Sequence, residues 1–230
     1  MAKIIAIVNQ KGGVGKTTTA INLASALAIF EKKTLLVDFD PQGNASSGVG
    51  VEKKSPNIYE ALIGKTEIAE VIKPSPILKH LDVISSNMDL TGAEIELVKE
   101  FSREYKLKKI LQKIEANYDY ILLDCPPSLG LLTVNALSAC SDVIIPIQCE
   151  YYALEGVSQL INTVRLIKRN LNTNLNILGV VLTLYDKRLN LSQQVAKEVR
   201  RYFREQVFDT VVHRSVKLSE APSFGKSIFR

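Results

Sequence analysis

This sequence of 230 residues contains few cysteines and no long apolar segment. The three cysteines, Cys125, Cys140 and Cys149, are an odd number without C-x-x-C spacing, so they indicate neither a disulfide framework nor a zinc site. No segment approaches the roughly 18 uninterrupted apolar residues of a membrane span. The first residues do not resemble a signal peptide either, because only five apolar residues follow Lys3. We therefore expect a cytoplasmic protein with reduced thiols.

The net charge of +5 comes entirely from the last third of the chain. Residues 1–150 contain 16 Lys and Arg against 18 Asp and Glu, whereas residues 151–230 contain 13 against 6. This asymmetry predicts a polyanionic partner that contacts the C-terminal part of the fold. A solvated basic surface without a partner would have the same composition, so the charge alone leaves both interpretations open.

A glycine-rich turn follows the first apolar run, residues 4–8, and precedes a segment with helical periodicity. It consists of Lys11, Gly12, Gly13, Val14, Gly15, Lys16, Thr17 and Thr18. A strand, a turn of this kind and a helix together predict a P-loop, whose backbone N–H groups surround a phosphate at the N-terminus of the helix. We therefore predict that residues 11–18 bind nucleotide phosphates. Lys16 would contact the β- and γ-phosphates, and the Thr17 hydroxyl would bind Mg²⁺.

Acidic residues end two later apolar runs. Asp38 and Asp40 lie at the end of the second run, and Asp124 ends the run 120–124 in the manner of a Walker B motif. Since the carboxyl ends of parallel strands meet at one edge of a sheet, we expect these carboxylates beside the P-loop. Asp124 suits the Mg²⁺ role and Asp40 the orientation of the attacking water. Asp38 has a supporting role at the strand end.

Apolar runs alternate with helical periodicity along nearly the whole chain. The runs predict strands at 3–8, 34–38, 81–85, 120–124, 143–147, 177–184 and 208–212. The periodicity predicts helices at 17–30, 58–63, 95–115, 131–139, 154–170 and 191–204. This order predicts an α/β fold with a doubly wound, mostly parallel sheet, in one domain that spans residues 1–230. We expect a mobile loop at 41–56, and a break at 73–79, which contains two prolines.

The P-loop departs from the standard pattern, because Gln10 replaces a glycine and a second lysine, Lys11, follows it. A lysine at this point is typical of the deviant Walker A ATPases. Three further motifs are Asp-Phe-Asp-Pro-Gln-Gly-Asn at 38–44, Leu-Leu-Asp-Cys-Pro-Pro-Ser-Leu-Gly at 122–130 and Leu-Ser-Glu-Ala-Pro-Ser-Phe-Gly-Lys at 218–226. With these motifs, the chain resembles the ParA/Soj family of chromosome- and plasmid-partitioning ATPases over essentially its whole length.

The resemblance implies an ATPase that uses ATP and Mg²⁺ and forms an ATP-sandwich homodimer, in which Lys11 supports the γ-phosphate held by the partner subunit. It also implies non-specific binding of double-stranded DNA by that dimer, stimulation by a ParB-type centromere-binding protein, and a nucleoid-associated location without a membrane. His213 and Ser215 match the two positions that lie against the adenine in the family. Relatives usually continue into a closing C-terminal helix, so we expect this helix to be missing after Arg230.

Basic residues in the C-terminal third are candidates for DNA contact. Lys197, Arg200, Arg201 and Arg204 form one stripe of the helix predicted at 191–204. By resemblance, Arg188 and Lys217 match DNA-contacting positions of Soj-like proteins, with Arg200 and Arg201 as weaker candidates. Phosphate contacts of this kind give affinity without base specificity. Without the resemblance, a solvated helix face would be the better interpretation.

Three other classes of protein share parts of this pattern. A membrane-associated cell-division positioner of the MinD type shares the P-loop and the dimer mechanism, but it needs an amphipathic C-terminal membrane helix. An iron–sulfur carrier needs bridging cysteines at a suitable spacing. A metabolic P-loop enzyme would leave Lys11 without a role. The MinD type is therefore the main alternative to a partitioning ATPase.

Overall fold

An eight-stranded β-sheet runs through the computed structural model, which describes residues 1–151, 153 and 156–229. The strands are β1 (Lys3–Ile7), β2 (Thr34–Asp38), β3 (Ile72–Pro74), β4 (Leu81–Ile84), β5 (Tyr120–Asp124), β6 (Asp142–Gln148), β7 (Asn176–Tyr185) and β8 (Val207–His213). Their order is β3-β4-β2-β5-β1-β6-β7-β8. The pairing of β3 with β4 is antiparallel, and all other pairings of these strands are parallel.

Helices cover both faces of the sheet. They are α1 (Lys16–Ile29), α2 (Asn44–Gly48), α3 (Ile58–Leu62), α4 (Leu90–Glu96), α5 (Lys106–Leu111), α6 (Leu131–Ala139), α7 (Val157–Asn170), α8 (Asn190–Phe203) and α9 (Val216–Glu220). Short 3₁₀ helices lie at Ile68–Val71, Leu97–Lys99, Arg103–Tyr105, Glu115–Asn117, Arg204–Gln206 and Ala221–Phe224. No helix among the described residues is long and apolar enough to span a membrane.

Two apolar cores, one on each face, hold these layers together. Along β1, Ile4 and Ala6 pack in the core under α3 to α8, whereas Ile5 and Ile7 pack against α1 and α2. The alternation follows from the geometry of a strand, in which successive side chains point to opposite faces. Both faces of the strand are therefore apolar, and the predicted doubly wound, mostly parallel sheet is confirmed. The three cysteines are buried and unpaired.

The edge strand β3 was not expected, because the two prolines predicted a break at 73–79. Ile72, Lys73 and Pro74 pair antiparallel with β4, so the predicted break overlaps the last two residues of this strand. Proline cannot donate to a sheet but is tolerated at an edge or a strand end. The other strands lie within one residue of their predicted ends.

The single helix predicted at 95–115 is wrong. The structure has α4, two 3₁₀ turns and α5 over this region, with Ser102 in the left-handed conformation (φ +52°) between the turns. Asn135 of α6 explains the restart, because its side-chain oxygen accepts from Leu107 N (3.1 Å) and its amide donates to Arg103 O (2.8 Å). A side chain from a distant helix thus caps α5, and local periodicity does not reveal it.

The segment predicted as a mobile loop at 41–56 contains α2, which was not predicted, and is bound to the end of β2. The Asp38 carboxylate accepts hydrogen bonds from the backbone N–H of Ser46 (2.7 Å) and from its hydroxyl (2.6 Å). Ala45, Val49 and Val51 are buried against α1 and the sheet. The helix predicted at 154–170 is α7, which begins at Val157; residue 154 lies outside the described residues. The short helix α9 was not predicted.

Candidate active site

The P-loop connects the end of β1 to the start of α1. Gly13 and Gly15 have left-handed backbone angles (φ +74° and +88°), which glycine adopts without strain, and Gly15 is the residue before the first turn of α1. Asn9 fixes the base of the loop: its amide donates to Pro146 O (2.7 Å), and its oxygen accepts from Lys11 N (3.0 Å). Contacts within the chain therefore hold the base of the loop, whose N–H groups lie at a helix N-terminus.

A cleft of about 330 Å³ lies over this loop. It is lined by most of the predicted phosphate-binding residues, together with residues of the segment after β2, namely Gly12, Gly13, Gly15, Lys16, Thr17, Thr18, Asp40, Gln42, Asn44 and Pro127. Val14 is buried behind the loop, and Lys11 does not line the cleft. The structure thus brings Lys16, Thr17 and Asp40 together at one cleft.

Lys16 is buried at this cleft, with 6% of its surface exposed, and its ammonium donates to Lys11 O (2.9 Å). Burial lowers the pKa of Lys16, and the nearby carboxylates of Asp124 and Asp40 oppose that shift. A buried ammonium with one acceptor among the described residues has donors left for further oxygen atoms. The oxygen atoms of a bound phosphate would accept hydrogen bonds from these donors.

Asp124 ends β5 directly beside Asp38 of β2, with which it is in register. Its carboxylate is fully buried, and neither oxygen has a hydrogen-bond partner among the described residues. Burial raises the pKa of Asp124 well above its ordinary value, and the carboxylate of Asp38 acts in the same direction. The Thr17 hydroxyl and the Lys16 ammonium act against this rise. A buried carboxylate without partners needs a bound cation or a metal-bound water, so it fits the predicted Mg²⁺ site with Thr17.

The two carboxylates after β2 have different surroundings. Asp38 is fully buried and bound to Ser46, and burial raises its pKa to about 6. Asp40 lines the cleft, and one of its oxygens accepts from Gln42 N (3.0 Å) while the other has no partner among the described residues. Asp38 therefore holds the loop, whereas Asp40 has an oxygen available for a water in the cleft.

A second pocket, of about 470 Å³, lies on the other side of the start of α1. Its walls include the apolar residues Leu23, Val212 and Leu218, together with His213 and Ser215. The His213 ring contacts the Tyr185 ring edge to face at 5.5 Å. Thr18 lines both this pocket and the phosphate cleft, so the two spaces are adjacent. The pocket thus contains His213 and Ser215, the two residues predicted to lie against the adenine, and its apolar walls next to the phosphate cleft suit the face of an aromatic ring.

The predicted DNA-contacting residues, which we call the basic surface (Arg188, Arg200, Arg201 and Lys217), differ in their contacts. Arg188 is 83% exposed and binds Asp186 with two of its nitrogens (2.7 and 3.0 Å). Arg200 donates to the backbone oxygens of Phe208 and Asp209 (3.4 and 3.3 Å), so it ties α8 to β8. Arg201 and Lys217 are exposed, and their side chains have no hydrogen bond or ion pair within the described part of the chain.

The sequence of this chain is similar to those of known proteins. Residues 2–177 match the family model described as "AAA domain". The sporulation initiation inhibitor protein Soj of Bacillus subtilis (strain 168) is 57% identical over 230 residues, which are 99% of this chain and 90% of that protein. The chromosome partitioning protein ParA of Myxococcus xanthus (strain DK1622) is 56% identical over 99% of this chain and 81% of that protein. The chain belongs to the ParA/Soj family.

This ParA/Soj family member also has close structural neighbours. The cobyrinic acid a,c-diamide synthase from Mycobacterium smegmatis superimposes with a TM-score of 0.89 over 98% of this chain and 93% of that chain. It is 37% identical in the structure with bound ADP and magnesium, and 36% identical in the structure with a bound ATP analogue and magnesium. The resemblance inferred from the motifs and the P-loop NTPase fold are therefore confirmed.

Some residues that build the site in this family member were not expected. Gln42 and Asn44 line the cleft, although the Asp-Pro-Gln-Gly-Asn motif served only for recognition of the family. The Thr183 hydroxyl, at the end of β7, donates to Val14 O (2.8 Å) and supports the loop from below. A signal existed, because Thr183 is a polar residue within the apolar run 177–184.

Proposed function

We propose that this protein is an ATP-hydrolysing switch for the partitioning of a chromosome or plasmid. One observation carries the proposal: Lys16, Thr17 and Asp40 meet at one cleft, and the Asp124 carboxylate behind it is buried with no hydrogen-bond partner among the described residues. The partitioning names of relatives that are 56 and 57% identical support the cellular process. The nucleotides and magnesium in the structural neighbour support ATP and Mg²⁺ as the ligands.

The residues of the cleft have different roles in phosphoryl transfer. The loop N–H groups and the Lys16 ammonium hold the phosphates and balance their charge. Thr17 and Asp124 would hold Mg²⁺, which neutralises charge on the β- and γ-phosphates when bound. The free oxygen of Asp40 accepts a hydrogen bond from the attacking water and orients it toward the γ-phosphate. The adenine occupies the second pocket, against His213 and Ser215.

Lys11 supports the proposal that the active form is an ATP-dependent homodimer. It is half-buried beside the cleft, and its ammonium has no hydrogen bond or ion pair among the described residues. Its backbone is already fixed, because its N–H binds Asn9 and its oxygen binds Lys16. A fixed lysine at the mouth of a phosphate site, without a partner in the described part of its own subunit, suits a nucleotide held by a second copy.

The basic surface gives the proposed dimer its DNA affinity. Each subunit would offer the same few cations, so a dimer doubles the number of phosphates it can neutralise and binds DNA without base contacts. Hydrolysis, stimulated by a ParB-type centromere-binding protein, would separate the subunits and release the DNA. In the cell, the ATP-bound form would therefore lie on the nucleoid.

Lys11→Ala tests the dimer. We expect this variant to bind ATP within about threefold of the parental affinity, since the phosphates of its own subunit do not require Lys11. It should fail to form the dimer and should hydrolyse ATP poorly. Binding of a fluorescent ATP analogue and light-scattering mass with ATP, ADP and no nucleotide measure the two properties. Normal dimerisation and hydrolysis by Lys11→Ala would refute the role of this lysine in the partner site.

Retention on random-sequence duplex and on anionic lipid vesicles tests the switch against the MinD-type alternative. We expect Mg²⁺-dependent phosphate release that stops in EDTA, and retention on duplex with ATP but not with ADP. Equal retention on duplex in all nucleotide states would contradict the switch. ATP-dependent retention on vesicles, without retention on duplex, would favour the membrane-associated class.

A further inference from the structure

The Leu-Ser-Glu-Ala-Pro-Ser-Phe-Gly motif has a structural position that the proposed reaction does not yet use. It forms the last three residues of α9, the following 3₁₀ turn Ala221–Phe224 and Gly225, which is left-handed (φ +64°). At its first end, Leu218 lines the pocket assigned to the adenine. At its second end, Gly225 contacts Gly50, which follows α2 in the segment after β2. The motif therefore links the adenine pocket to the segment that also contains Asp40.

The contact between Gly225 and Gly50 joins backbone to backbone. A Cβ atom on Gly225 would lie 2.8 Å from Gly50 Cα and 3.1 Å from Gly50 N, which is closer than side chains approach backbone atoms. Gly50 is also left-handed (φ +73°), and a Cβ there would lie 3.4 Å from Gly225 O. The close approach thus requires glycine at 225, whereas Gly50 has ordinary clearance at the contact and favours glycine through its left-handed backbone.

The motif also packs against the end of α2. A Cβ on Gly48 would lie 2.5 Å from the Cδ1 atom of Ile21 in α1 and 3.4 Å from Pro222 of the motif. The other end of α2 starts at Asn44, which lines the phosphate cleft with Asp40. The helix α2 therefore packs against the motif at one end, and its first residue lines the phosphate cleft.

The residues after the motif are bound to α1. The backbone N–H of Ile228 donates to the Asn22 side-chain oxygen (2.9 Å), and the Asn22 amide donates to Thr18 O (2.8 Å). Thr18 lines both the phosphate cleft and the adjacent pocket. The motif thus lies between two fixed points, one on α1 and one on the α2 segment.

We propose that Gly225 and Gly50 are positioning residues that couple the adenine pocket to the segment carrying Asp40. This inference rests on the proposed ATPase function and extends it. A base bound between α1 and α9 fixes the position of the motif. The motif, through the contact between the two glycines, fixes the end of α2. The helix α2 in turn holds Asp40 and Gln42 in position beside the γ-phosphate. The contact serves the hydrolytic step rather than the affinity for nucleotide.

Gly225→Ala tests the coupling, with Gly64→Ala as the matched control. Gly64 has the same left-handed backbone (φ +78°), but a Cβ there meets nothing within 4 Å, so the control reproduces the backbone strain without the contact. We expect Gly225→Ala to lower kcat by roughly tenfold to a hundredfold, as small displacements of a catalytic group do. The dissociation constant for ATP should stay within about threefold, and Gly64→Ala should keep the parental kcat.

Gly50→Ala and hydrogen exchange complete the test. Gly50→Ala approaches the same contact with more clearance, so it covers the case in which Gly225→Ala does not fold. Faster amide exchange at residues 44–50, with unchanged exchange in α6, is expected in either variant. Parental kcat and parental exchange in both variants would overturn the coupling while leaving the ATPase proposal intact. If the parental protein releases no phosphate, the ATPase proposal fails, and the exchange at residues 44–50 still decides whether the contact holds α2.

Discussion

The nucleotide site and the basic surface are built in opposite ways. Around the phosphate cleft, buried side chains make short hydrogen bonds to residues far away in the sequence, such as Asn9 to Pro146 and Thr183 to Val14. On the basic surface, the side chains are largely exposed, and Arg188 is paired with a residue two positions earlier. The first region is held together by contacts between distant parts of the chain, whereas the second consists of largely exposed charged side chains.

This difference predicts two kinds of response to substitution. In a fixed, buried site, the removal of one group leaves its partners unsatisfied, and the effects are large and strongly coupled. At exposed charges, each contact contributes little, the effects add, and salt weakens them. The predictions below follow that order.

Lys16→Ala should give the largest effect. Its ammonium is the buried cation at the phosphate cleft, and its removal leaves the β- and γ-phosphates facing Asp124 and Asp40 without compensation. We expect ATP affinity to fall at least about 100-fold, as for the loss of about 3 kcal/mol of charge-assisted hydrogen bonding. Calorimetric titration with ATP measures it, with exposed Lys99→Ala as the control. An affinity within threefold of the parent would show that the cleft is not the phosphate site.

Asp40→Ala should separate binding from turnover. We expect unchanged ATP affinity and a fall in hydrolysis of roughly 10²- to 10³-fold, since the water loses its orienting group. The variant should accumulate as the ATP-bound dimer, visible as a stable dimer mass in ATP. Asp89→Ala, an exposed carboxylate outside the cleft, should behave as the parent. If Asp40→Ala turns over ATP at the parental rate on DNA, another carboxylate orients the water.

Arg188→Gln combined with Lys217→Gln should affect DNA binding alone. We expect loss of retention on random duplex with normal ATP-dependent dimerisation, because exposed charges do not support the fold. The slope of log affinity against log salt should decrease by about 0.9 for each DNA phosphate that the variant no longer neutralises. The matched control replaces two exposed lysines outside the basic surface, Lys32 and Lys109, by glutamine. Retention equal to that of the control would separate DNA binding from the basic surface.

Asp186→Asn should give the smallest effect, and in the opposite direction. The hydrogen bonds from Arg188 hold the pKa of Asp186 well below its usual range, so the carboxylate stays charged at neutral pH and competes with DNA for this arginine. We expect duplex retention to increase about threefold, in the range for a surface ion pair. Asp209→Asn removes the same charge from an exposed site that has no arginine ion pair among the described residues, and it should change retention less. Weaker retention in Asp186→Asn would mean that Asp186 orients Arg188 for the DNA.

Local patterns predicted the site well where one segment carries the chemistry. The P-loop, the acidic strand ends and the strand bounds follow from glycine spacing and apolar runs, which are properties of neighbouring residues. The order of the strands brings these segments to one edge of the sheet, as parallel topology requires. The assignments of Lys16, Thr17 and Asp40 to one cleft therefore needed no long-range information.

The features that the sequence did not predict depend on contacts between separate structural elements. The helix predicted at 95–115 is interrupted because Asn135, from α6, binds the backbone of Arg103 and Leu107. The segment after β2 contains α2, which is bound to the strand end because Asp38 accepts two hydrogen bonds from Ser46. The contact between Gly50 and Gly225 joins residues that are 175 positions apart in the sequence. None of these pairings leaves a periodic signal in the sequence.

The edges of the sheet limit how copies of this protein can assemble. At one edge, β3 is only three residues long and ends in Pro74, which has no N–H to offer. At the other, β8 has charged Asp209, and the Arg200 guanidinium lies on backbone oxygens of that strand. Short, proline-ended and charged edges resist the addition of a further strand. Filaments made by continuing the sheet are therefore disfavoured, and copies must meet through other faces of the molecule.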